Sequence, residues 1–530
     1  MHAKLVEEWL TSAKERGGID QAFAQLLTSQ GHEVLWQGHS RIELGKDIIT
    51  VDPDGQFHAY QIKDEDLTLA ELRKHDAQIA ELVTVPILHP RVPLGTVHTP
   101  HLITSGLAKE EANLRILAQN QGWKAKGYRE LDIVDRSSLV PRFVSMADSF
   151  WPDRPKSIRD FFSFYLAEGK GDFDPQRFAT LLSELLPAVT ASKSRSERVP
   201  SALCIIGNYM LTAFEREKDH WSLFRGWVII AAYIAWHAQA TGLADKHWAG
   251  AFALAKQAAM EQLKGILIES AGKDALSPNG FEIDDYTRCR NTVVAGAIAA
   301  WSLVADATVV DDAEVKPLLA MLVERGRLIV WGESALPMVL CVLWASERHG
   351  FEIDALRIVR SYVEEACERN TVHSDDEPIE PPQTDPDAIL ERLFAFKRDR
   401  NRPPKAKHLW AMQAVLHLLA RRDDRDFLTQ NWPLITKLDL MTFRPDAVDD
   451  LLLWSGVEGK EEHRKARKTQ SWALLREEAS KPTHSDIPGI VSQDLSFAVL
   501  YFLAYPHRIS ASLVSHLDRH FRAKAPQTTI

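Results

Sequence analysis

Hydrophobic and polar positions follow two different patterns along the chain, and the change falls near residue 150. Before it, short β-branched and aromatic runs predict strands, and these alternate with amphipathic stretches that predict helices. After it, long Ala-, Leu- and Trp-rich segments follow one another with no convincing strand alternation. We therefore expect an α/β domain, a mixed sheet flanked by helices, followed by a large all-α region.

In the first domain the predicted elements are short. Helices are expected over Leu5–Lys14, Ile19–Ser29, Leu67–Leu82 and Ala108–Gln119. Strands are expected over Glu33–Trp36, Lys46–Val51, Gln56–Ile62, His101–Thr104 and Lys124–Val134. The second and third strands flank Asp52-Pro53-Asp54-Gly55, a strong turn signal, and should form a hairpin.

Downstream, the pattern predicts helices in series, with one break. The helices are expected over Ala202–Arg216, Trp221–Gln239, Trp248–Leu267, Arg290–Val304, Lys316–Leu328, Ala335–Arg348, Ile353–Arg369 and Ala406–Leu419. The acidic, proline-rich stretch His373–Asp387 predicts a linker or a long exposed loop. The expected division is a domain over 1–150, a helical domain over 151–372, the linker over 373–387 and a helical region over 388–530.

Composition and charge limit the classes of function and location that the sequence allows. The 530 residues carry a formal net charge of −10, which excludes a generally basic coat for nucleic acid, so DNA binding would need a local basic surface. The basic clusters at 397–402 and 464–468 are most simply solvated helix ends. Four widely separated cysteines predict reduced thiols in a cytoplasmic protein, and the most apolar run, Gly226–Trp236, is too short to span a membrane.

The predicted hairpin brings three polar side chains together. A turn centred near Asp54 sets Asp47 opposite Gln61, because the two positions are equidistant from that centre. Gln61 and Lys63 are two residues apart in a strand and should project from one face, with Tyr60 and Ile62 on the packed side. Asp47, Gln61 and Lys63 should therefore converge at one end of the sheet.

Such a group suits phosphodiester hydrolysis. Mg²⁺ prefers carboxylate and carbonyl oxygens, and we expect Asp47, Gln61, the backbone carbonyl of Ile62 and Glu43 to hold it, with Mn²⁺ as a substitute. Lys63 would orient or help deprotonate the attacking water, or offset charge that builds on the phosphate. Asp47, Gln61 and Lys63 are the expected catalytic residues.

This arrangement resembles the PD-(D/E)xK nucleases, and most closely the Mrr-like restriction endonucleases, in which a Gly-x-Asp strand precedes a Gln-x-Lys strand. The likeness extends over about residues 19–143: a first helix ending in a Leu-Leu pair and a glycine turn, the strand and helix after the site, and a closing strand and helix. It implies a Mg²⁺-dependent endodeoxyribonuclease in bacterial restriction or anti-phage defence. The family's extra helix glutamate is missing beside Phe23, so Asp20, Glu33 or Glu43 would have to replace it.

Other interpretations stay open at this point. One alternative is that Asp47 and Lys63 simply form a cross-strand ion pair. Another is a degenerate nuclease fold that only binds nucleic acid or protein, and a third is cleavage of RNA. Arg73, Lys74 and Gln78 are candidate DNA contacts or a solvated helix face, and no histidine of this domain has a metal-ligand spacing. The helical region would bind a protein partner or trigger, and cleavage of both strands would favour a homodimer.

Overall fold

Strands are concentrated in the first 150 residues and helices dominate the remainder. In the computed structural model the described residues are 2–12, 19–37, 45–93, 95–147, 173–186, 193–271, 285–305, 315–320, 328–350, 355–371, 377–384, 407–481 and 486–523. Glu43, the basic cluster at 397–402 and most of the predicted helix Lys316–Leu328 lie outside these ranges. The predictions that concern them are therefore not tested.

A mixed five-stranded sheet forms the centre of the first domain, as predicted. Its strands are β1 (Glu33–Gln37), β2 (Ile48–Val51), β3 (Phe57–Lys63), β4 (Thr99–Thr104) and β5 (Asp132–Val134), in the spatial order β1-β2-β3-β4-β5. The first three pair antiparallel through short connections, whereas β3, β4 and β5 pair parallel. Parallel pairing requires crossover connections, and helices supply them.

Helices cover both faces of this sheet. They are α1 (His2–Ser12), α2 (Asp20–Ser29), α3 (Leu69–Lys74), α4 (Asp76–Thr84), α5 (Glu110–Ala125) and α6 (Arg136–Ala147). The helices α3, α4 and α5 bury Leu72, Ile79 and Ile116 in one core with Ala59 of β3. On the opposite face, Phe23 of α2 packs edge-on against Tyr60 of β3, with ring centroids 5.3 Å apart.

Two predicted elements of this domain were wrong in extent. The single helix expected over Leu67–Leu82 is two helices, because the backbone at His75 (φ −101°, ψ 5°) leaves the helical conformation between α3 and α4. The strand expected over Lys124–Val134 is confined to β5. Its first two residues belong to α5, which ends just before Gly127 at φ +86°. Only glycine adopts that conformation readily, so this position ends the helix.

The rest of the chain is mostly helical, as predicted. Its longer helices span Pro175–Leu185, Lys193–Glu217, His220–Thr241, Ala249–Ala271, Asp285–Val304, Leu336–Arg348, Ala355–Arg369, Met412–Arg421, Arg425–Ile435, Trp472–Ser480, Leu495–Ala504 and Ala511–Ala523. The chain forms two compact units, Met1–Ala258 and Ala259–Ile530. In the first unit the sheet domain packs on helix Lys193–Glu217, for example through Trp9, whose indole N–H donates to Thr212 Oγ1 at 3.2 Å. The expected boundaries at 150, 372 and 387 remain predictions.

The expectation of an all-α remainder was wrong at one place. Strands β6 (Leu440–Pro445) and β7 (Gly459–Arg464) form an antiparallel two-stranded sheet in the second unit. The sequence of β7, GKEEHR, has no apolar alternation and lies largely exposed. Its pairing with β6 is a tertiary effect that hydrophobic periodicity does not report.

The described part of His373–Asp387 is non-helical, as expected, but its centre is not an exposed loop. Ile379 is buried, and the backbone carbonyl of Glu380 accepts a hydrogen bond from Glu333 N at 2.8 Å. The carboxylate of Glu333 is itself fully buried and accepts from Tyr362 Oη, Trp410 N and Ala411 N. Burial raises the pKa of Glu333 to about 7. The described residues 377–384 of this stretch are therefore tied to the helical unit.

Two further features bear on the sequence predictions. All four cysteines are buried and unbridged, as expected. In the described part of the chain, no helix combines the length and the apolar character that crossing a membrane demands.

Candidate active site

The hairpin of β2 and β3 has the predicted register. Ile48 pairs with Tyr60 and Val51 with Phe57, so the register continues toward Asp47 and Gln61 at the open end of the hairpin. Asp47 directly precedes β2, and its backbone N–H donates to Tyr60 O at 2.8 Å. The turn geometry thus brings Asp47 beside the end of β3.

At the end of the β2–β3 ladder, the carboxylate of Asp47 acts as a hydrogen-bond acceptor in place of a backbone carbonyl. Its Oδ2 accepts a hydrogen bond from Ile62 N at 2.7 Å. In a strand the N–H and C=O of one residue point to the same edge. The backbone carbonyl of Ile62 is therefore directed to the edge where Asp47 lies, which puts two of the expected metal ligands side by side.

Gln61 and Lys63 lie on one face of β3, as expected, but that face is also packed. Gln61 is 3% exposed and Lys63 7% exposed, because helices α3 and α4 cover the end of the sheet. The amide nitrogen of Gln61 donates to Gln78 Oε1 of α4 at 3.0 Å. The sequence interpretation, in which only Tyr60 and Ile62 face packed structure, was wrong because it did not anticipate α4 on the other side.

The amide oxygen of Gln61 is the most informative atom of the site. It is buried, and it has no hydrogen-bond partner among the described residues. A buried carbonyl oxygen left unpaired costs about 1–3 kcal/mol, and native proteins tolerate few of them. An amide oxygen, a carboxylate and a backbone carbonyl are all oxygen ligands of the kind that a hard divalent cation takes.

Residues before Asp47 hold it against α4, and one of them was missed by sequence reasoning. Gly45 has φ +78°, and a Cβ there would lie 2.8 Å from the backbone oxygen of Gln78. Only glycine fits this approach. Lys46 is 2% exposed and donates to Glu81 O at 3.4 Å. Burial lowers the pKa of Lys46 to about 8, and a lone lysine in a sequence gives no signal of such burial.

The candidate replacements for the missing helix glutamate differ in position. Glu33 pairs in register with Val51, at the far end of β2 from Asp47, and forms an exposed ion pair with Arg91 at 2.6 Å. It is not at the site. Asp20 is 5% exposed at the start of α2, where its Oδ1 accepts from the following backbone N–H at 2.8 Å. Glu43 is outside the described residues.

The three predicted DNA-contacting residues have different surroundings. Arg73 is exposed. Lys74 is held by Glu71 at 2.9 Å and by Glu65 at 3.8 Å, which raises the pKa of Lys74. Gln78 has its side-chain oxygen occupied by Gln61. Gln78 therefore belongs to the support of the candidate site, even though it remains solvent-accessible.

A second group of potential metal ligands lies just beyond Lys63. Glu65, Glu71 and His75 have ligand atoms within 4.8 Å of one another, and His75 Nε2 is 2.7 Å from Glu65 Oε1. Glu71 and His75 are four residues apart across α3, a spacing that sequence reasoning did not weigh. Because Lys74 bonds both carboxylates, the group is already satisfied as an ion-pair cluster.

Histidines on the opposite face form a hydrogen-bonded chain. His58 lies between Asp52 (3.1 Å) and His101 (3.0 Å), and His101 reaches Asp132 at 3.2 Å. Two neutral imidazoles carry only two N–H groups, whereas this chain contains three hydrogen bonds, so its completion requires one additional proton. Burial lowers the pKa of His101, and the hydrogen bond from His58 lowers the pKa of Asp52. The chain joins the β2–β3 turn to β3, β4 and β5.

No protein-family model, curated protein or solved structure matches this chain. The resemblance to the Mrr-like enzymes therefore depends on the residues of the chain itself, and the roles it implies remain predictions.

Proposed function

We propose that the first domain is a Mg²⁺-dependent endodeoxyribonuclease of the PD-(D/E)xK type, acting in bacterial restriction or anti-phage defence. One observation carries the proposal: the amide oxygen of Gln61 is buried without a hydrogen-bond partner among the described residues, and the next residue of the strand, Ile62, donates its backbone N–H to the Asp47 carboxylate. The Asp47 carboxylate, the Ile62 carbonyl and the Gln61 amide offer three oxygens of different kinds, which suit a hard cation better than a structural polar core.

Each residue then has a distinct task. Asp47, Gln61 and Ile62 would hold Mg²⁺ or Mn²⁺, with Glu43, four residues before Asp47, as a further ligand. When bound, the ion would supply charge neutralisation at the scissile phosphate. Lys63, buried beside these ligands, would direct its ammonium toward the attacking water or the developing charge on the phosphate. Gln78 accepts a hydrogen bond from the amide nitrogen of Gln61, which would leave the amide oxygen for the ion.

Plasmid cleavage tests the proposal directly. Wild-type protein should nick supercoiled DNA with Mg²⁺ or Mn²⁺ and not with EDTA. Asp47→Asn keeps an oxygen to accept the Ile62 N–H, and Lys63→Gln keeps most of the side-chain volume, yet each should lose at least about 100-fold in rate. Glu33→Gln is the matched control, because it removes a carboxylate from the same sheet but away from the site, and it should cleave normally.

The outcomes separate the remaining interpretations. If Asp47 only paired with Lys63, both variants would be less stable but would cleave at the wild-type rate. Binding of DNA without cleavage under any metal condition would favour the degenerate, non-catalytic scaffold. Cleavage of RNA alone would change the substrate. A protein partner of the helical region, and a homodimer that cuts both strands, remain proposals that sedimentation with and without DNA would test.

A further inference from the structure

The small sheet of the second unit carries cations that face each other. Arg444 of β6 and Lys460 of β7 are directly opposite in register, and both are exposed. Like charges directly opposite on neighbouring strands destabilise a sheet. Neither side chain forms an ion pair with a carboxylate among the described residues. An anion between them would remove this repulsion.

The chain continues from β7 into a basic arm, Arg464–Lys468. Lys465, Arg467 and Lys468 are exposed and likewise have no carboxylate partner in the described part of the chain. Arg464 alone is paired, with Glu462 at 2.9 Å. The arm is a strand end and a non-helical connection, and it precedes helix Trp472–Ser480 by several residues. The expectation that this cluster is a solvated helix end was therefore wrong.

The acidic residues of β7 do not neutralise these cations. Glu461 pairs with Phe443, so by strand alternation it projects from the face opposite to Lys460. Glu462 shares the face of Lys460 but is engaged by Arg464. The basic surface, defined here as Arg444, Lys460, Lys465, Arg467 and Lys468, is thus a local positive patch on a chain of net charge −10.

We propose that this basic surface binds the phosphate backbone of duplex DNA. The choice of DNA as the polyanion rests on the proposed nuclease function. The positive charge of the surface is independent of that proposal. Lys465, Arg467 and Lys468 fall within four residues of a non-helical segment. One DNA strand presents a phosphate about every 3.4 Å along its axis, so this segment can contact more than one phosphate. Within the described ranges of the chain, these five side chains have no ion pair that must break when DNA binds.

The experiment measures DNA affinity without cleavage. Full-length protein in EDTA is titrated into a fluorescein-labelled duplex of about 30 base pairs, with anisotropy read from about 50 to about 200 mM salt. The test variant is Lys465→Gln/Arg467→Gln/Lys468→Gln. The matched control is Arg198→Gln/Lys218→Gln/Lys246→Gln, which removes three exposed cations between residues 193 and 271.

The expected result is quantitative. If three phosphate contacts are lost, the slope of log K against log salt should become shallower by about 2.7, with at least about tenfold weaker binding at the lower salt concentration. The control should keep the wild-type slope. An unchanged slope in the test variant would overturn the proposal. So would self-association of the variant with unchanged affinity, because the lysines would then protect the exposed edge of β7.

Failure of this proposal can be told apart from failure of the proposed function. If the wild-type protein cleaves DNA and the test variant binds DNA with wild-type affinity, only the proposal for the basic surface is refuted. If the wild-type protein binds DNA with the expected salt dependence but never cleaves it, only the nuclease assignment is refuted.

Discussion

Replacing Gln61 with methionine should separate a metal ligand from a structural amide. Methionine has nearly the same length and shape but neither donor nor acceptor of comparable strength. In the metal-free protein, the wild-type side chain buries an unpaired oxygen, and its nitrogen bonds a side chain that remains solvent-accessible. Loss of the amide therefore removes one buried oxygen that has no partner among the described residues. It leaves no other buried polar group there unpaired, since water can reach Gln78.

The magnitudes follow from these contacts. An unpaired buried carbonyl costs about 1–3 kcal/mol and a hydrogen bond contributes about 1 kcal/mol, so Gln61→Met should be neutral or up to about 2 kcal/mol more stable without metal. With Mn²⁺ at about 100 times its dissociation constant, wild-type protein should gain about 2.7 kcal/mol. Weakening Mn²⁺ binding by about 10- to 100-fold would reduce that gain in the variant to about 0.4–1.4 kcal/mol.

Urea unfolding in EDTA and in Mn²⁺ measures both quantities. Gln25→Met is the matched control: Gln25 is 2% exposed, its amide oxygen is also buried with no hydrogen-bond partner among the residues that the structure describes, and its nitrogen donates to Ala251 O at 3.4 Å. It lies on α2, so it should leave the Mn²⁺-dependent gain unchanged. The reasoning is refuted if Gln61→Met loses more than about 2 kcal/mol in EDTA and keeps the full Mn²⁺-dependent gain, because the amide would then be structural.

Three other predictions follow from particular contacts. Burial raises the pKa of Glu333 from 4.5 to about 7, so the folded chain holds the carboxyl proton more tightly than the unfolded chain does. The free energy of unfolding should therefore fall by about 3 kcal/mol as pH rises across that interval. Urea unfolding of Glu333→Gln should not show this dependence on pH. Gly45→Ala should lower both stability and cleavage more than Gly55→Ala, which has the same positive φ but open space at Cβ; equal losses by urea unfolding would contradict the steric argument. Limited proteolysis should cut first within His373–Asp387 but not at residues 378–380, because burial and backbone contacts protect these three residues. A first cut at residues 378–380, located by mass spectrometry, would refute this prediction.

The hairpin and its register could be derived from the sequence because they depend on local chemistry. The turn Asp52–Gly55 and the two flanking apolar runs determine which residues of β2 and β3 face each other, and hence that Asp47 reaches the end of β3. The mixed sheet and the helical remainder follow from hydrophobic periodicity in the same way. Periodicity did not set element ends, as the division of Leu67–Leu82 at His75 illustrates.

Burial and long-range pairing were decided only by the tertiary structure. Whether Gln61 and Lys63 lie in solvent or beneath α4 depends on how a crossover helix packs, and no local pattern carries that information. The pKa of Lys46 near 8 has the same origin. Strand β7 forms because β6 offers a free edge to a polar segment, and Glu380 is held by a contact with Glu333, 47 positions away in the chain. The sequence alone thus determined which side chains lie together at the end of a strand. The tertiary packing alone determined how far these side chains are buried and which residues surround them.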